Sequence, residues 1–116
     1  MTVAAMSGVP FKQQDAQTTG NGTVLAIPPS FRNHTWIIST PSGTTTGAIQ
    51  IEASNDPADA GTWAPLTASP TTISNGADVI VQVTGLLNFV RARISTTISG
   101  GASPSVTVQY EGAKSY

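Results

Sequence analysis

Residues 49–66 read IQIEASNDPADAGTWAPL, and this stretch decides the fold. Ile49, Ile51 and Ala53 alternate with Gln50 and Glu52, the two-residue period of a strand with one face in a core. The alternation points the three apolar residues inward and predicts that Gln50 and Glu52 face outward. Asn55–Gly61 then gathers Asn, Asp, Pro and Gly, which set turn geometry or bond their own backbone. Trp63 and Leu66 follow and are expected to fold back over the sheet. With Asn88–Ser95 (NFVRARIS) and Ser105–Gly112 (SVTVQYEG), the order is strand, loop, packed Trp, strand and closing strand. That is the writing of a two-layer all-β sandwich.

The same period extends outward along the chain. Thr23–Ile27 is a strand stopped by Pro28-Pro29, which cannot sit in a central ladder. His34–Ser39 sets Trp36 and Ile38 on one face and Thr35 and Ile37 on the other. Val79, Val81 and Val83 point inward from Ala77–Val83, as do Val90, Ala92 and Ile94 from the next strand. Val106, Val108 and Tyr110 do so from the last. No segment sustains a 3.6-residue period, and the Thr, Val and Ile content disfavours helix. Several short strands with turns between them predict a sandwich or barrel. Residues 1–22 are weakly patterned and read as an N-terminal arm, with a short strand near Phe11–Gln17; residues 23–116 form the β-sandwich domain.

Composition narrows the function. Charged residues are 9% of the 116, against the roughly 25% usual in soluble domains, and 17 Thr with 12 Ser take their place. The net charge is −1 with five scattered Lys and Arg, so no basic patch points to nucleic acid or to an anionic membrane surface. No apolar run approaches the ~20 residues of a membrane-spanning helix. The first residues, MTVAAMSGVPFKQQ, lack the basic and apolar regions of a secretory signal. With no cysteine there is neither a disulfide nor a thiolate metal site, and no cofactor is expected. A surface so poor in charge has little colloidal repulsion, which suits burial in an assembly.

Residues that could carry chemistry are few. His34 is the only histidine, no G-x-S-x-G surrounds any serine, and His34 reads as a partly exposed residue at the start of a strand, not a catalytic base. Glu52, Asp56 and Asp59 do not make the carboxylate pair across an aromatic cleft that glycosidases need. Asp56 and Asp59 share one loop and are expected to bond its backbone. Phe89, Arg91 and Arg93 share one strand face and form the sharpest exposed constellation. They read either as an interface, where Arg is enriched, or as pairing partners of Glu52, Asp78 or Glu111 within the sheet. Val9 and Phe11 are apolar contact candidates on the arm. Trp36, alternating with Ile38, reads as core, whereas Trp63, beside a Gly-Thr turn, is the candidate for stacking on a ligand such as a sugar.

Ile51-Glu52-Ala53-Ser54, Asp56-Pro57, Gly61-Thr62-Trp63-Ala64-Pro65-Leu66 and Phe89-Val90-Arg91-Ala92-Arg93-Ile94 stand in that order before a Gly-Gly turn and a final Val-Thr-Val. Together these resemble small structural proteins of tailed-bacteriophage virions, over roughly Trp36 to Gly112. The resemblance implies a single antiparallel β-sandwich, jelly-roll-like with Greek-key connections. It implies a non-enzymatic capsid decoration, or cement, protein on the virion surface, made in the host cytoplasm. Its partner would be the major capsid protein, and it would be a homo-oligomer, trimer or dimer. A carbohydrate- or receptor-binding module of a head fibre, neck or tail is the alternative, and a depolymerase fragment ranks last.

Overall fold

A computed structural model describes residues 3–5, 11–56 and 62–114, with residues 3–5 and 114 described by backbone alone. Alternating segments become strands and Gly- and Pro-rich segments become turns. The strands are β1 (Val3–Ala5), β2 (Phe11–Gln17), β3 (Val24–Ala26), β4 (Phe31–Ser39) and β5 (Thr46–Ser54). They continue with β6 (Ala64–Pro65), β7 (Thr71–Thr72), β8 (Val79–Thr84), β9 (Phe89–Ser99) and β10 (Val106–Lys114). No helix occurs among the described residues.

The strands form two sheets. The first runs β1-β3-β9-β5-β6, with β7 also on β5; the second runs β2-β10-β4-β8. Every pairing is antiparallel except that of β1 with β3. From β2 to β5, and again from β8 to β10, each successive strand crosses to the other sheet. Counting β2, β3, β4, β5, the β6–β7 segment, β8, β9 and β10 as eight, this is the strand order of a jelly roll, two Greek keys wound together. The expected β-sandwich is therefore the observed one.

The core lies between the sheets. The first contributes Leu25, Ile49, Ile51, Val90, Ala92 and Ile98, and the second Trp36, Ile38, Val106, Val108 and Tyr110, all buried. The side chains predicted inward at β5, β8, β9 and β10 point there. Trp36 is fully enclosed, its ring centroid 5.2 Å from that of Tyr110.

The short strand expected at Phe11–Gln17 is an edge strand of the second sheet, paired with β10. It lies in the sandwich itself and is stitched across it. The Gln13 amide donates to Val90 O at 2.9 Å and to Thr23 O at 3.2 Å, and its Oε1 accepts from Trp36 Nε1 at 2.7 Å. The Gln14 amide donates to Ala92 O at 2.8 Å and to Gly20 O at 3.1 Å. Two buried glutamines thus tie β2 in one sheet to β9 in the other.

Candidate interaction face

The outer face of the first sheet holds the residues singled out by sequence, and it differs from expectation. The ladder of β5 on β9 sets Gln50 opposite Arg93, Glu52 opposite Arg91 and Ser54 opposite Phe89. Side chains at these positions point away from the core, because neighbours on a strand alternate faces. Gln50 and Glu52 are nevertheless buried. The segment from Thr62 to Ser69 runs beside β5, where Leu66 N donates to Ile51 O at 2.9 Å, and reaches onto the face through its side chains: Thr67 Oγ1 accepts from the Gln50 amide at 3.2 Å, and Trp63 packs on Arg91. Period two identifies the face on which a residue lies, but cannot tell whether a loop returns to cover it.

Under that cover sits a charge cluster. Arg91 Nε donates to Glu52 Oε1 at 2.9 Å, and Arg93 Nε donates to Glu52 Oε2 at 3.2 Å. The Arg91 side chain is 8% exposed and that of Glu52 9%, whereas Arg93 keeps 36%. The guanidinium carbon of Arg91 lies 4.3 Å from the centroid of the Trp63 ring, a cation–π stack. The expected exposed constellation is corrected here: Arg91 is an interior group, spent on Glu52 and roofed by Trp63. Of the two readings, the structure realises pairing within the sheet, with Glu52. Phe89 and Phe11 are half-buried, and Val9 lies outside the described residues. Trp63, the candidate stacking residue, is itself half-buried with one ring face against a cation.

Beside this cover, at one end of the sandwich, is a groove of about 400 Å³. Asn55, Asp56 and Thr62 line it from the β5–β6 side, and Leu86, Leu87 and Asn88 from the β8–β9 turn. Asn88 Nδ2 donates to Asn55 Oδ1 at 2.7 Å, which ties the two rims together. Asp56 N donates to Ser54 Oγ at 3.0 Å, so in this bond it is the serine hydroxyl that holds the loop's backbone, where the sequence pointed to the Asx side chains. Asp59 lies outside the described residues.

His34 also departs from expectation: it is buried, 1% exposed. Its Nδ1 lies 2.6 Å from the Tyr110 hydroxyl and its Nε2 2.9 Å from Gly85 O. A carbonyl can only accept, so Nε2 carries the proton and Nδ1 accepts from Tyr110. Desolvation lowers the His34 pKa, partly offset by the hydrogen bond to Gly85 O, and burial pushes the Tyr110 hydroxyl above its ordinary range. Both groups are satisfied as neutral partners inside the second sheet. Sequence missed this array because β4 and β10 meet in register across 76 residues, setting His34 and Tyr110 two steps apart on one core face.

The fold and this face together define a jelly-roll β-sandwich with a buried ion pair, Glu52 and Arg91, on the outer face of one sheet. No protein-family model and no curated protein matches the chain.

Proposed function

We propose that this chain is a non-enzymatic structural protein of a tailed-phage virion. It sits on the outside of the capsid as a decoration protein, contacts the major capsid protein and bridges capsomers. The observation that carries the reading is the disposition of charge. Three of the eleven charged residues, Glu52, Arg91 and Arg93, are engaged with one another on one sheet face, and two of them, Glu52 and Arg91, are withdrawn from the surface there. What remains outside is largely hydroxyl, amide and small apolar surface. Such a surface tolerates close packing beside many identical copies, where affinity comes from repeated modest contacts and not from one deep pocket. The jelly-roll order adds support by analogy alone, since viral capsid domains share it with lectins and cupins.

Interface candidates follow from exposure. Arg93, Phe89 and Phe11 retain accessible surface, whereas Arg91 serves the interior. The test is the copy number of this chain in purified particles by quantitative mass spectrometry. Hundreds of copies in a simple ratio to the major capsid protein support a decoration role. A handful per particle transfers it to a neck, tail or fibre, and absence from particles overturns the proposal.

The groove beside Asn55 and Asn88 favours one second reading, a glycan- or receptor-binding module. Its mix of amides, a carboxylate and leucines suits a sugar ring, which needs polar contacts at its rim and apolar contact on its face. Glycan-array binding that is lost in Asn88→Ala would support it, and an array without hits would remove it.

A further inference from the structure

A β-sheet edge carries unpaired N–H and C=O groups, and a chain that must stay single blunts its edges. Three edges of this sandwich are blunted or broken. β2 carries exposed Lys12 and Asp15, slips register twice against β10, and contains Ala16 at φ 53°. On the far side of the first sheet, β6 and β7 are two residues each, and β6 includes Pro65. β1 is three residues long.

β8 is different. It runs six residues, Val79-Ile80-Val81-Gln82-Val83-Thr84, with no charge and no proline. It pairs with β4 in unbroken register from Val79 to Thr84, so its free edge is straight. Among the described residues it pairs with no other strand. The two exposed large hydrophobic residues of the described chain, Ile80 at 61% and Leu86 at 56%, lie on β8 and in the turn that follows it.

We propose that β8 is a self-association edge. Two copies of this chain pair their β8 strands antiparallel about a two-fold axis normal to the second sheet, joining two four-stranded sheets into one. A two-fold contact must be self-complementary, and an uncharged strand places no like charges opposite each other. An axis normal to the sheet keeps both core faces on the same side, so core-facing residues must meet core-facing residues. Centring the ladder on Val81 or on Gln82 does this with equal overlap, and only Val81 brings the two exposed Ile80 residues close to the axis, so the ladder is centred there. Val81 meets its own copy, Val79 meets Val83 of the second copy, and Ile80 meets Gln82 of the second copy. The two Ile80 side chains then lie diagonally across the ladder, within reach of each other. Asp78, the nearest charge in sequence, falls at opposite ends of the ladder in the two copies.

This deepens the assembly reading by naming the copy-to-copy contact. It is tested on the full chain alone, so its failure leaves capsid occupancy to be decided separately. Sedimentation equilibrium should give twice the chain mass at micromolar to millimolar concentration. Ile80→Lys with Gln82→Lys sets lysines opposite each other on exposed positions and should weaken the dimer on the order of tenfold or more, with an unchanged far-UV circular dichroism spectrum. Because the chain has no cysteine, engineered thiols report cleanly. Under mild oxidation, a mixture of Ile80→Cys and Gln82→Cys chains should cross-link faster than either alone. A chain monomeric throughout the range, a trimer, or a dimer indifferent to the lysine pair would overturn the proposal. So would a monomer whose β8 amides become protected from exchange only on capsids, since that hands the edge to another protein's strand.

Discussion

His34 is neutral in the fold because the desolvated cavity at Tyr110 disfavours its charged form. The unfolded chain has no such bias and titrates near the ordinary value of 6.5. As pH falls below that value, the unfolded state takes up a proton that the folded state resists, so stability is fully present above it and declines beneath it. Because His34 is the only histidine, pH 5.5 to 7 should isolate it from the carboxylates. Urea midpoints should fall across that window, and His34→Gln should be less stable at pH 7.5 but nearly flat across the window. A second residue-scale expectation concerns Glu52. Glu52→Gln leaves two guanidiniums facing each other under the loop and should cost about 3–5 kcal/mol in denaturant titration. Arg93→Ala, at a position a third exposed, should cost much less.

Among elements, β2 decides whether the sandwich closes. Its backbone ladder on β10 is irregular, and the two glutamine amides compensate by reaching β9 directly. The turn after β2 must pass close to this stitch, and Gly22 makes that possible at φ +74°. A Cβ there would stand 2.7 Å from Gln13 O and 2.9 Å from Ala92 O, both backbone atoms that cannot swing aside. Gly22→Ala should therefore lower stability by about 2 kcal/mol or more, combining left-handed strain with overpacking, as read by the thermal midpoint. Protection from amide exchange should drop first along β2.

At the scale of the molecule, an early strand and the last one meet. Phe11 pairs with Tyr110 and Gln17 with Val106, so β2 belongs to the same cooperative unit as the closing strand. Removing residues 1–17 takes away Gln13 and Gln14 and leaves Trp36 Nε1 and Val90 O without these partners inside the core. Buried groups left without partners cost about 1–3 kcal/mol each, and an edge strand is lost besides. The truncated chain should fail to give a cooperative unfolding transition, whereas a dispensable arm would leave the transition unchanged.

The alternation of Ile49, Ile51 and Ala53, of the β8 valines, and of Val106, Val108 and Tyr110 was legible because a side chain's face depends only on its own strand. So were the turns at Pro28-Pro29 and Asn55-Asp56, where the residue type limits the backbone. The composition already marked a neutral, turn-rich surface. What tertiary structure alone decided is everything that depends on what lies above a face. Gln50, Glu52 and Arg91 have the pattern of solvent-facing residues and are buried because a loop folds back with Trp63 over them. His34 has the pattern of a partly exposed strand start and is interior because Tyr110 arrives from 76 residues away. The strand order and the bare edge of β8 likewise come from pairings between distant segments. Local sequence governs backbone period and turn chemistry, but burial and partnership are set by contacts whose energies exist only once the sheets have met.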